Sequence, residues 1–379
     1  MPKGESRLPH PKLFTPIQLG GVTLPNRIVV SPMCQYSADD GAMTDWHLIH
    51  LGQLAESGPG MLVVEATGVT REGRITHGCT GLYSDGNEAA MARVIQACRR
   101  LSRNPIGIQL AHAGRKASTH PPFAGGKPLG AGESPWQTVA PSPIPFNDGW
   151  HVPHEMQVGE IKQLAADFVQ ATVRAKRIGF DAVELHSAHG YLLHQFLSPL
   201  SNQRKDEYGK NRMKAPLEIA QAVREVWPKE RALGARISGN DWVEGGLGPD
   251  DAVAYARELK RVGYDYVCVS SGAMSPLAKM KVEPGYQVGF ASKVKQNVPI
   301  AVRAVGMIAD PQQAEDILAS GKADMIAMAR AFLDNPRWVW HAAERFGVQV
   351  DYPPQYARTR HDLWPGAALA RPLGSKAVA

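Results

Sequence analysis

Short apolar runs alternate with amphipathic stretches along most of the chain. Eight runs have strand length: Arg27–Cys34, Gly60–Val69, Pro105–Ala111, Ala182–Ala188, Ala232–Ser238, Tyr266–Gly272, Ile300–Gly306 and Met325–Arg330. They are rich in β-branched residues and mostly lack period-two alternation, the pattern of strands buried on both faces. Between them, apolar residues recur at helical spacing, as at Met91, Val94, Ile95, Cys98 and Leu101, and at Ile161, Leu164, Phe168, Thr172 and Ala175. Asp310-Pro311 and Asn335-Pro336 each set a capping side chain before a proline at the first helical position. Gly347 stands where a left-handed cap would end the last helix. Eight strands, each followed by a helix, predict a single-domain α/β fold, a (β/α)8 TIM barrel. A doubly wound open sheet is the rival, disfavoured by the strand count and by the missing glycine-rich first turn.

Two additions stand outside this repeat. Residues 14–26 (FTPIQLGGVTLPN) read as a hairpin around Gly20-Gly21 that closes the barrel floor. Residues 113–160, rich in Gly and Pro, form an insertion after the third strand, long enough to be a lid or binding loop. The tail at 352–379 has little periodicity and is expected to pack on a neighbour or fray.

Composition narrows the function. Of 379 residues, 44% are hydrophobic and 21% charged, enough apolar material for a large core. No apolar stretch is long enough for a membrane span, and the first fourteen residues lack the apolar centre of a secretion signal. The four cysteines, Cys34, Cys79, Cys98 and Cys268, form no CxxC pair, which disfavours a disulfide scaffold, zinc ribbon or iron–sulfur site. A reducing, cytoplasmic setting is expected. The net charge of +6 is dispersed; Arg99, Arg100 and Arg103 read as a solvated helix end, and nucleic acid is disfavoured.

Most candidate motifs are weak. The GGK at 125–127 fails as a phosphate loop because Pro128 stands where Ser or Thr is needed. HxxH occurs at His47–His50, His151–His154 and His186–His189, and no third ligand is nominated, so no metal is expected. His47 and His50 read as surface or packing residues, and Cys98 and Cys268 as structural thiols. His186, His189 and Tyr191 differ by position, since they leave the end of the fourth strand, where barrel active sites lie. Two imidazoles and a phenol there suit polarising one substrate oxygen and delivering a proton beside it, or else satisfying the loop backbone.

Four longer motifs decide the reading. Ser31-Pro32-Met33-Cys34-Gln35-Tyr36-Ser37, Gln109–Lys116 (QLAHAGRK), His186–Pro199 (HSAHGYLLHQFLSP) and Asn202–Gly209 (NQRKDEYG) together resemble the Old Yellow Enzyme family. Cys34, followed two residues later by Tyr36, is similar to the thermophilic-like bacterial subclass. The resemblance runs from about Leu13 to Arg358.

This resemblance implies a tightly bound FMN, NADPH or NADH as reductant, and an activated alkene as acceptor in a ping-pong cycle. By position, Ser31, Pro32, Met33, Cys34, Ala66 and Gln109 would lie against the flavin ring. Arg236 would stand where the reduced ring gathers negative charge; read without the family, it is a core ion pair. Gly306, Ala329 and Arg330 would hold the phosphate, with Ser271-Gly272 weaker candidates; the family commonly has Gly where Ala329 stands. His186 and His189 would bind the carbonyl oxygen of an electron-poor alkene, Tyr191 would protonate its Cα from the opposite face, and Tyr36 would add a contact. Cys34 would tune the flavin rather than attack. Gln355-Tyr356-Ala357-Arg358 resembles the segment by which Arg358, with Tyr356, enters a neighbouring subunit's site in a homodimer or homotetramer. A 2-hydroxy acid oxidase, a dienoyl-CoA reductase, a metal-dependent hydrolase and a non-catalytic flavin scaffold are the rivals.

Overall fold

A computed structural model describes residues 10–371 of the chain; the ends at 1–9 and 372–379, which include parts of the leader and tail readings above, lie outside the described residues. Eight parallel strands close into a barrel: β1 (Ile28–Val30), β2 (Met61–Gly68), β3 (Ile106–Ala111), β4 (Ala182–Ser187), β5 (Ala232–Ser238), β6 (Tyr266–Ser270), β7 (Ala301–Ala304) and β8 (Met325–Met328). Each pairs with its sequence neighbours, and β8 pairs with β1. Nearly every strand residue is buried, because the interior is filled by side chains and the outside is covered by helices. The open-sheet rival is thereby excluded.

The principal helices are α1 (Asp45–Ala55), α2 (Asp85–Leu101), α3 (Val158–Ile178), α4 (Lys214–Val226), α5 (Pro249–Val262), α6 (Val288–Asn297), α7 (Pro311–Ala319) and α8 (Trp338–Phe346). In α2 the stripe Met91, Val94, Ile95 and Cys98 is buried, but Leu101, at the fraying end, is 57% exposed. Arg99 is likewise not merely solvated: it pairs with Asp181 and donates to the Gly179 carbonyl at 2.9 Å. Asp310 caps α7 as expected, accepting from the Gln312 and Gln313 amides. Asn335 does not cap a helix starting at Pro336. It closes the short helix Arg330–Asp334, its side chain accepts from the Arg337 amide at 3.1 Å, and α8 begins only at Trp338. Gly347 ends α8 at φ +66°.

The predicted hairpin pairs Ile17–Leu19 with Val22–Leu24. It pushes Leu19 and Leu24 into one apolar cluster with Val29, Met61, Val63, Tyr266 and Met325, closing the N-terminal end of the barrel. Above this plug sits a polar layer. Glu184 accepts from Gln109 Nε2 at 2.8 Å and Tyr266 OH at 3.1 Å, and forms a fully buried ion pair with Arg303. Gly234 makes room for this layer, since a Cβ there would meet the Tyr266 ring at 2.2 Å.

The insertion after β3 contains short 3-10 turns and a two-stranded pairing of Val139–Ala140 with His154–Glu155 before α3 begins. It returns to the barrel mouth at two points. Phe123 lies edge-on to Tyr36 at 6.0 Å, and Phe146 lies over Lys116 at 4.8 Å. Past α8, the 3-10 turn Pro354–Thr359 packs Tyr356 on Trp340 and on the Arg337 guanidinium, while Arg358 is exposed. No helix among the described residues is long and apolar enough to cross a membrane.

Candidate active site

Register brings the candidate residues to one end of the barrel. His186 is the partner of Arg236 across β4 and β5, and Arg236 is the partner of Cys268 on β6. A bulge between Val64 and Ala66 in β2 aligns Ala66 with Gln109 and turns Glu65 away from the ladder. Glu65 meets His47 Nε2 of α1 at 3.3 Å and accepts from the Gln35 amide at 3.1 Å. His47 is therefore a buried packing residue that anchors the chain between Cys34 and Tyr36.

Beyond β4 the backbone turns sharply. His189 adopts φ +57° and Gly190 φ +70°, and the Tyr191 that follows leads into the helix Leu192–Leu197. The turn is held by His194, whose Nδ1 accepts from the Gly190 amide at 2.9 Å and whose Nε2 meets Asp241 at 2.9 Å. The result is a cluster of three rings: His186 lies 5.1 Å from His189 and 5.0 Å from Tyr191, edge to face in both cases.

The neighbours of each ring determine what it offers. His186 Nδ1 accepts from the Ala188 amide at 3.3 Å, which puts the imidazole hydrogen on Nε2. His189 Nε2 lies 2.7 Å from Ser270 Oγ. Burial, then the Arg236 charge, hold both imidazoles well below the usual histidine range, so both are neutral at pH 7. Burial pushes the Tyr191 phenol well above its usual range and keeps it protonated. Cys34 is shifted upward by burial and then by Cys79 and Glu65, which makes it a thiol rather than a thiolate. Tyr36, at φ +52°, is raised in the same way by burial and by Cys34.

Among the described residues Arg236 has no carboxylate partner, which argues against the core ion pair reading; that role belongs to Arg303. Among the described residues the buried Nε of Arg236 has no partner, and its Nη2 makes one long hydrogen bond, 3.5 Å, to Ser270 Oγ. Ser31 Oγ is a second buried orphan, at the end of β1. Such groups are costly unless a ligand meets them. Gly306 ends the loop side of β7 at φ +115°, where a Cβ would meet Gln287 Nε2 at 2.4 Å. Ala329 and the exposed Arg330 follow β8 directly. Ser271 is a poorer phosphate group, because it donates to Gln287 Oε1 at 2.7 Å and accepts from Trp242 Nε1 at 2.9 Å. An unpaired guanidinium, an orphan hydroxyl and a glycine without room for a side chain suit a flat, polar-edged, anionic cofactor spread across the mouth.

The family model for the NADH:flavin oxidoreductase / NADH oxidase family matches residues 12–348. The chain belongs to the Old Yellow Enzyme family. It is an FMN-dependent NAD(P)H oxidoreductase of that type. Over 351 residues it is 43% identical to an NADPH dehydrogenase of Geobacillus thermodenitrificans (strain NG80-2), covering 91% of this chain and 98% of the relative. The NADPH dehydrogenase of Bacillus subtilis (strain 168) is 41% identical over 352 residues, covering 92% and 98%. Among solved structures, morphinone reductase in complex with tetrahydroNAD superposes with a TM-score of 0.73 at 30% identity, covering 91% of this chain and 94% of that one.

The sequence had singled out neither the Glu184–Arg303 pair nor Ser270, Gln287 or Lys116 for a role. Charged residues inside the runs AVELHS and IAVRAVG were a usable signal, since a lone charge in a strand buried on both faces needs a partner.

Proposed function

We propose that this enzyme uses NADPH or NADH to reduce the activated C=C bond of α,β-unsaturated carbonyl compounds and related electron-poor alkenes. The observation that carries this reading is the cluster of His186, His189 and Tyr191 beside Arg236, which has no carboxylate partner among the described residues. In this reading Ser31, Pro32, Met33, Cys34, Ala66, Gln109 and Arg236 hold the FMN ring, and Gly306, Ala329 and Arg330 its phosphate. When bound, FMN supplies hydride exchange with a nicotinamide and with an alkene carbon.

The protein's own part is to bind, polarise and protonate. His186 offers its Nε2–H to the substrate carbonyl. Ser270 Oγ lies 2.7 Å from His189 Nε2 and 3.2 Å from Gln287 Oε1; when its hydroxyl turns to His189 Nε2, the other ring nitrogen of His189 carries the hydrogen and becomes the second donor. Two neutral donors on one oxygen act most strongly as negative charge develops there, which favours the transition state over the ground state. Tyr191 delivers its proton to Cα; a phenol held well above its usual pKa parts with it only to a strong carbon base. Tyr36 adds a polar wall, and Cys34, kept as a thiol, tunes its surroundings without attacking. Reductant and acceptor occupy the same space in turn, which accounts for an NAD(P)H enzyme without a Rossmann fingerprint and gives ping-pong kinetics.

We further propose that the chain self-associates and that Arg358, exposed on a turn anchored by Tyr356, completes a neighbour's pocket. An Arg358→Ala variant with unchanged turnover and substrate affinity contradicts this.

The test of the main reading separates the two half-reactions by rapid mixing. Tyr191→Phe is expected to slow alkene reduction about a hundredfold and leave reduction by NADPH near the wild-type rate. Equal slowing of both halves removes Tyr191 from the proton-donor role.

A further inference from the structure

Two adjacent cations, Arg115 and Lys116, follow β3 and take no part in the chemistry above. Arg115 is buried. Its Nη1 donates to the Ile144 and Pro145 carbonyls of the insertion, at 3.2 and 3.3 Å, and its Nη2 to the Met274 carbonyl at 2.9 Å. Lys116 Nζ donates to the His189 carbonyl at 2.8 Å and to the Ala273 carbonyl at 2.9 Å, and faces the Tyr191 ring at 5.0 Å. One side chain thus ties the loop after β4 to the loop after β6.

The two carbonyls it holds are unusual. Both belong to non-glycine residues in the left-handed region, His189 at φ +57° and Ala273 at φ +63°. Such conformations persist only where the surroundings over-determine them. The loops touch between these residues: a Cβ on Gly190 would meet the Ala273 carbonyl oxygen at 2.3 Å. Burial and the neighbouring Arg115 push the Lys116 ammonium down to about 7. A neutral amine still carries two N–H groups for two carbonyls, so the tie does not depend on its charge.

We propose that Lys116 is a positioning residue for the substrate clamp. Its Nζ, set between the His189 and Ala273 carbonyls, holds the β4 and β6 loops in contact and so aims the His189 imidazole, while Arg115 fastens the insertion to the same junction. This rests on the reading of His186 and His189 as the carbonyl clamp.

The experiment titrates the oxidised, FMN-loaded enzyme with 4-hydroxybenzaldehyde and follows the flavin absorbance. Lys116→Met keeps an unbranched side chain one atom shorter and removes every N–H donor. It is expected to retain FMN and to bind the phenol about tenfold more weakly, as misplacement of a binding group by a fraction of an ångström does. Gly190→Ala forces the same contact apart with Lys116 intact and is expected to weaken binding as well, so the test stands where Lys116→Met fails to fold. A tie that serves only stability lowers Tm in both variants and leaves the dissociation constant at the wild-type value; that result overturns the proposal. The His186→Ala/His189→Ala double variant separates the two readings. If it binds the phenol as the wild type does, the clamp reading fails and the proposal with it. If it loses binding while Lys116→Met and Gly190→Ala do not, only the positioning role fails.

Discussion

The two ends of the barrel are built on opposite terms. At the N-terminal end the hairpin delivers Leu19 and Leu24 into a dry cluster with the strand interiors. At the C-terminal end the backbone is strained and polar groups are left open. The eight non-glycine residues at positive φ among the described residues all lie in loops leaving strands: Tyr36 and Asp40 after β1, Ser118 and Ser134 after β3, His189 after β4, Trp242 after β5, Ala273 after β6 and Met307 after β7. The orphan Ser31 hydroxyl and Arg236 Nε belong to the same end. Strain of this kind costs about 1–3 kcal/mol per residue and survives only on a rigid base. The closed strand ladder is that base, and the Glu184–Arg303 layer lies between the two regimes.

Substitutions that treat the two ends differently test this contrast. The largest effect is expected from Glu184→Ala in the middle layer, which strands the fully buried Arg303 and should destabilise the FMN-loaded enzyme by about 3–5 kcal/mol. Chemical denaturation measures it, and an unchanged midpoint would show that the layer does not support the barrel. At the floor, Leu24→Ala should cost about 3 kcal/mol while FMN affinity and turnover per folded molecule stay at wild-type values. At the mouth, Gly306→Ala adds a loss of FMN affinity that the floor variant does not show. Forcing a Cβ into the φ +115° position against Gln287 should weaken FMN binding to the apoprotein about tenfold, read by fluorescence quenching, beyond the loss of about 1–3 kcal/mol in apoprotein stability that the strain itself brings.

The smallest effect concerns acid. His186 and His189 have folded pKa values below their unfolded ones, so the unfolded chain binds protons first as pH falls. Their contribution is complete above pH about 6.5 and is lost below it, by about 1 kcal/mol per imidazole at pH 5.5. The double His→Asn variant should show a shallower acid limb in its unfolding midpoints.

The barrel was legible because each strand is covered on both faces, so its run is mostly apolar and easily told from the polar connections. The misplaced start of α8 has a local cause: Asn335-Pro336 carries a true capping signal, but the short helix Arg330–Asp334 consumes Asn335 as its end. The His186, His189 and Tyr191 cluster was visible because one continuous motif carries it. The Lys116 tie was not, because its acceptors are backbone carbonyls 73 and 157 residues away, and a backbone acceptor leaves no trace in residue identity. Glu184 and Arg303 are separated by 119 residues, and their pairing depends on barrel closure, which neither strand's own residues encode.

The central claim is that this mouth passes electrons from a nicotinamide to an activated alkene. An anaerobic absorbance titration of the purified protein, first with NADPH and then with 2-cyclohexenone, tests it most directly. The expected result is a yellow protein that bleaches with NADPH and regains its colour on adding the enone. A protein that bleaches with NADPH and stays bleached with this enone and with other electron-poor alkenes would contradict it.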